Sequence, residues 1–159
     1  MLSYQHGYHA GGFADVHKHA ALCLLLAHLR RKPTPFCIID SHAGRGLYDL
    51  TGEQASRTGE WQAGIARLVE AAPVNEAVQP YLDIVAGFNA AGDLTSYPGS
   101  PAIAARLMRK TDRLILVEGH PAGRIDRRSG RSGPRPPGRF RERRRSDSWA
   151  HRPGSPGLP

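Results

Sequence analysis

The chain has 159 residues, enough for about one domain. Its formal net charge of +8 is unevenly placed: residues 1–123 balance 11 Lys and Arg against 11 Asp and Glu, and residues 124–159 hold the other 11 cations, all Arg, with 3 acids. The basic pI therefore belongs to a tail and gives no sign of a basic domain face, and no apolar run is long enough for a membrane-spanning helix. The N-terminus, MLSYQHGYHAGG, has no basic or apolar signal region, so a cytoplasmic protein is expected. Cys23 and Cys37 lack the usual zinc spacings, and both are expected to be small buried thiols in a reducing compartment.

Residues 1–13 are rich in Gly, His and aromatic side chains, a loop composition with unusual chemistry. From Ala14 the apolar spacing becomes helical, through Val16, Ala20, Cys23 and Leu24. Arg30, Arg31 and Lys32 suit the last turn, and Pro33 and Pro35 stop the helix. Residues 36–40, Phe-Cys-Ile-Ile-Asp, form a uniform apolar run, the pattern of a strand buried on both faces of a parallel sheet. The run ends in Asp40 and enters the glycine turn Ser41 to Gly46, an arrangement that edges nucleotide sites in open α/β sheets.

Residues 53–71 and 74–90 read as two amphipathic helices. Ser100 then suits a helix N-cap and Pro101 the first helical position, with the helix running to Lys110. Residues 113–118 form a second buried-strand pattern ending in Glu118. Two such strands separated by helices predict a parallel pair. The gap of about 70 residues between them leaves room for a helical insertion at about 50–95.

Four groups carry candidate chemistry. Tyr4, His6, His9, His17, Lys18 and His19 crowd 16 positions; without a cysteine partner or a metalloprotease spacing they point to a substrate or cofactor pocket and not to a metal. The turn after Asp40 is the second group. Glu118 is the third, because a strand-end carboxylate accepts both ribose hydroxyls of a nucleoside cofactor. Ser100 is the fourth, at a helix start that attracts ligands.

Taken together, SYxHxxHAGxxADVxKH at 3–19, DxHAGxGxY at 40–48, RTGEW at 57–61, YPGSP at 97–101 and ExHP at 118–121 resemble the bacterial 23S rRNA adenine-N6 methyltransferases of the RlmJ family. The resemblance covers residues 1 to about 121. It implies a Rossmann-like S-adenosylmethionine-dependent methyltransferase domain, truncated here, with an inserted helical subdomain, and 23S rRNA as the partner. His19, His42, Ser100 and Glu118 would line the cofactor site, and Tyr4 would face the target adenine with His6 and Lys18 nearby. Gln5, Gly12 and His17 depart from the family pattern, where Arg, Asn and an apolar residue are expected.

The family's catalytic Asp-Pro-Pro-Tyr segment is absent; the nearest string is Arg135-Pro136-Pro137-Gly138, without acid or ring. Residues 122–159, rich in Arg, Pro and Gly, are expected to be disordered. Their composition is that of a GC-rich gene read in a shifted frame. The resemblance thus implies a methyltransferase with impaired or no activity in this chain. The alternative is a non-enzymatic RNA-binding fragment that uses the arginine-rich tail.

Overall fold

The computed structural model describes residues 4–71, 75–89 and 92–119, and the backbone of 140–143. A short 3₁₀ turn, His6–Tyr8, leads into helix α1, Phe13–Leu29. Gly12 caps α1, and Asp15 sits in the first turn, where a carboxylate favours the helix dipole. Asp15, His19, Cys23 and Leu26 form its buried stripe at helical spacing. Arg30 is the C-cap, so the three cations trail off the helix end instead of filling its last turn.

Strand β1, Cys37–Asp40, pairs in parallel with a later strand whose register sets Cys37 opposite Arg113 and Asp40 opposite Leu116. That partner is Arg113–Val117, β4 in chain order. The expected parallel pair is present. The expectation of burial on both faces fails, because burial alternates along both strands. Ile38, Leu114 and Leu116 pack with Leu26, Ala104 and Met108. On the opposite face Ile39 is 68% exposed and Cys37 is also exposed. That face is open at β1, so Cys37 is not the buried thiol expected. Cys23 is buried as expected.

Two strands were not anticipated. β2, Leu47–Asp49, pairs antiparallel with β3, Ser96–Pro98, and this ribbon brackets residues 50–95. Between them the chain forms α2, Glu53–Thr58; α3, Arg67–Glu70; and α4, Gln79–Ala86. The expected continuous helix over 53–71 breaks at Gly59, which takes φ +65 as the C-cap of α2. A π-helical turn, Gln62–Ala66, follows before α3. This turn packs backbone to backbone on the N-terminal loop: the Ile65 amide donates to the Gly11 carbonyl at 2.9 Å. A Cβ at Gly64 would overlap that same carbonyl, so the close approach needs glycine.

Helix α5, Ser100–Leu107, has Gly99 at its N-cap, one residue earlier than the sequence suggests, and ends three residues before Lys110. The Ser100 hydroxyl does not cap the helix; it donates to Asp40 at 2.7 Å. One core lies between α1, the bracketed segment and α5, around Tyr81, Tyr97, Leu50, Ile65 and Ile103. Fully burying each Leu or Ile there contributes about 1.5–3 kcal/mol before entropy. The other core lies under the sheet.

A clasp ties the strands' starting ends together. The Arg109 guanidinium donates to both Asp112 carboxylate oxygens, to the Lys32 carbonyl and to the Thr34 carbonyl, and it lies over the Phe36 ring. These hydrogen bonds hold the Asp112 carboxyl down at about 2. Strand β5, Phe140–Arg143, adds to β4 in parallel, giving the order β1-β4-β5. Four residues of the tail therefore form a strand where disorder was expected; the rest of the expectation for 122–159 lies outside the described residues.

Candidate functional site

A cavity of about 510 Å³ opens at the C-terminal ends of β1 and β4. The geometry of parallel strands sets it there, because the loops leaving both strands diverge at that end. Asp40 ends β1; it accepts from the Ser100 hydroxyl at 2.7 Å and from the His42 amide at 3.1 Å. Glu118, just past β4, accepts from the Gly44 amide at 2.7 Å. Gly44 holds φ +66, so its amide turns toward Glu118 in a conformation that side chains resist. The Tyr48 hydroxyl lies over this turn and accepts from the Arg45 amide at 3.3 Å. Burial pushes the Tyr48 phenol up to about 12, so it remains protonated.

The opposite wall comes from the N-terminal loop and α1. Burial, the largest influence on Asp15, favours its protonation; hydrogen bonds from His6 at 2.8 Å and from Lys18 outweigh it and hold the carboxyl at about 2. The Lys18 ammonium lies 2.8 Å from the second Asp15 oxygen, and the Gly11 amide donates at 3.2 Å. The Tyr4 hydroxyl meets the other His6 nitrogen at 2.7 Å, and its ring stacks on His9 at 5.5 Å. Tyr4 is 61% exposed. His19 Nδ1 meets the Tyr97 hydroxyl at 2.7 Å, which in turn meets the Tyr81 hydroxyl at 3.0 Å. Burial lowers the His19 pKa to about 4, so the imidazole is neutral near pH 7. With Nδ1 engaged, Nε2 is the nitrogen left for a ligand.

A sequence model of the family described as "Ribosomal RNA large subunit methyltransferase D, RlmJ" matches residues 33–128. The chain belongs to the RlmJ family. It is 46% identical to Ribosomal RNA large subunit methyltransferase J of Escherichia coli (strain K12) over 122 residues, which is 77% of this chain and 44% of the relative. It is 42% identical to the protein of the same name from Haemophilus influenzae over 123 residues, again 77% of this chain and 44% of the relative. The crystal structure of protein LPL1258 from Legionella pneumophila superposes with a TM-score of 0.67 at 37% identity, over 72% of this chain and 42% of that one. The chain thus spans less than half the length of the curated RlmJ relatives it matches.

Tyr4, His6, Lys18, His19, His42, Ser100 and Glu118 all line this one cavity, although they lie up to 114 positions apart in sequence. His9 approaches it only through Tyr4, and His17 instead contacts the Phe13 ring on the outside of α1. Sequence reasoning missed the groups that hold these side chains in place. Asp15 is 2% exposed and engages His6 and Lys18. Tyr97 is fully buried and engages His19. Asp15 had a visible signal, being an acid within the buried stripe of an amphipathic helix. Tyr97 stood in the YPGSP run, but nothing there showed its contact with His19, 78 positions away. Among the described residues no group of three or more His, Cys, Asp or Glu side chains is arranged to hold a metal ion, and no helix is long and apolar enough to cross a membrane.

Proposed function

We propose that this cavity is the S-adenosylmethionine site of a large-subunit rRNA adenine-N6 methyltransferase built on a Rossmann-like frame, with residues 50–95 as an inserted subdomain. The observation that carries the reading is the pair of carboxylates, Asp40 and Glu118, ending adjacent parallel strands beside the Gly44 turn. The cavity volume falls within the roughly 300–1,000 Å³ of small-molecule sites. Glu118 stands at the end of β4 on the cavity wall, where a strand-end carboxylate accepts from ribose hydroxyls. Neutral His19 places no positive charge beside a sulfonium, and of the two cavity cations, Lys18 and Arg45, Lys18 is compensated by Asp15. The donor set therefore suits this cofactor, which supplies an electrophilic methyl group when bound.

In this reading His19, His42, Ser100 and Glu118 hold the cofactor. Tyr4, exposed at the mouth and steadied by His6 and His9, offers a ring for the extruded adenine to stack on, with Lys18 alongside. The chain has no Asp-Pro-Pro-Tyr segment to accept hydrogen bonds from the target amine. We therefore expect cofactor binding with little or no methyl transfer.

Calorimetry of S-adenosylmethionine against the full chain tests this. Binding should be measurable, and Glu118→Ala should weaken it beyond detection while a thermal melt shows the fold retained. Glu118→Gln keeps an oxygen for the Gly44 amide and should bind measurably but more weakly. Unchanged affinity in Glu118→Ala refutes the ribose assignment. Absence of binding in the parent chain, with RNA still bound, favours the non-enzymatic RNA-binding alternative.

A further inference from the structure

The cavity occupies the C-terminal ends of β1 and β4. The opposite end of the same strands carries a separate feature. Residues 1–123 hold 11 cations, and six of them gather here: Arg30, Arg31 and Lys32 after α1, and Arg109, Lys110 and Arg113 around the start of β4. They are distant in sequence but brought together in space. The Arg109 guanidinium donates to the Lys32 and Thr34 carbonyls, and the Arg113 amide donates to the Phe36 carbonyl at 3.0 Å. The only acid in the two segments, Asp112, is buried and engaged by Arg109 and by the Phe36 amide. Arg30, Arg31, Lys32, Lys110 and Arg113 are exposed, and among the described residues no carboxylate forms an ion pair with any of them.

A solvated helix end explains part of this. One or two cations after a helix C-terminus gain about 0.3–1 kcal/mol from the dipole. The parallel pairing of β1 with β4 and the Arg109 clasp draw the two ends together, and the five exposed cations held there repel one another unless an anion neutralises them. Residues 1–123 are balanced as a whole, so the local excess is a segregation of charge and not a general basicity.

We propose that this face docks the phosphate backbone of RNA flanking the nucleotide that enters the cavity. The proposal rests on the rRNA reading of the site and adds a second contact to it. Four or five strand residues at about 3.3 Å each put the two contacts on opposite ends of the sheet. The face therefore does not touch the target base. Its exposed cations suit sequence-independent phosphate contacts, which position a nucleic acid without reading it.

The test uses the full chain, a short RNA stem-loop followed by fluorescence anisotropy, and a salt titration. The variant Arg30→Gln, Arg31→Gln, Lys110→Gln removes three exposed charges and leaves the Arg109 clasp intact. We expect affinity to fall on the order of tenfold or more at about 0.1 M salt, and the slope of log affinity against log salt to flatten by about 2–3. S-adenosylmethionine binding should not change. A second variant, Arg143→Ser, Arg144→Ser, Arg145→Ser, measures the contribution of the tail. Unchanged affinity and slope in the first variant overturn the proposal. So does a loss confined to the tail variant, or a loss of binding to phosphatidylserine vesicles with RNA affinity intact. If the parent chain fails to bind S-adenosylmethionine but RNA binding still depends on these three residues, the cofactor reading falls and this one stands.

Discussion

The neutral state of His19 yields a pH dependence with a definite sign. In the folded chain burial lowers its pKa to about 4, against 6.5 for the free side chain. Near pH 7 both states are uncharged, and His19 adds nothing to the pH dependence. Below about 6.5 the unfolded chain takes up a proton that the folded chain refuses until about pH 4. Stability therefore falls as pH drops through that window, by about 3 kcal/mol at its lower end. That is a large part of the roughly 5–15 kcal/mol that holds a typical domain together. Asp15 acts in a lower window: its folded pKa is about 2 against 3.8, so the stability it contributes is lost as pH falls from about 4 to about 2. The windows barely overlap, which lets the two be separated. Urea unfolding of the parent chain and of His19→Gln, at several pH values from 7.5 to about 4.5, isolates the first. Gln keeps a polar partner for the Tyr97 hydroxyl and has no proton to gain. The stability difference between the two proteins should shrink or reverse by about 2–3 kcal/mol on acidification across that range. A constant difference would refute a buried, neutral His19.

Two further outcomes test the placement of the turn and of the sheet faces. Gly44→Ala forces a side chain into φ +66, at a cost of about 1–2 kcal/mol, and drives its Cβ onto the Tyr48 hydroxyl. Denaturant melts should show at least that loss, and S-adenosylmethionine binding should weaken; a variant that matches the parent in both refutes the turn geometry. For the cysteines, a thiol reagent under native conditions should label exposed Cys37 quickly and buried Cys23 only on unfolding, since burial pushes the Cys23 thiol up to about 11. Mass mapping of the labelled peptides reads the order, and early labelling of Cys23 contradicts the core described for α1.

Local patterns in the sequence carried the elements that local chemistry decides. Helix α1 was legible because its buried stripe recurs at helical spacing up to a proline stop. The parallel pairing of residues 37–40 with 113–117 was legible because both runs are apolar and end in carboxylates. The ribbon of β2 and β3 was not, because each strand has three residues and the two lie about 50 positions apart. Nor was the break at Gly59, where a glycine in a helical pattern reads as a tolerated defect until its φ is known. The uniform run at 36–40 misled for another reason. Uniform hydrophobicity says that a strand is able to be covered on both faces, while coverage depends on what packs against it. Here Ile38 is covered by α1 and α5, and Ile39 is not covered by any described residue.

That uncovered face bears on how the site divides its work. The family is shown over less than half the length of the relatives, and what is present is enough to form two walls of a cavity. Two parallel strands bring Asp40 and Glu118 together, and α1 with the N-terminal loop supplies the other wall. Of the four groups proposed to hold the cofactor, three are anchored by a distant partner: Glu118 with Gly44, Ser100 with Asp40, and His19 with Tyr97. On the acceptor side Tyr4 is exposed and reaches the buried framework only through His6, which leans on Asp15. Affinity for a nucleoside cofactor needs the anchored set alone. Transfer also needs the acceptor amine held in line, which one exposed ring does not achieve. If the cavity holds S-adenosylmethionine as proposed, binding and catalysis are separable in this chain, and the separation follows from which side of the cavity has its supports in place.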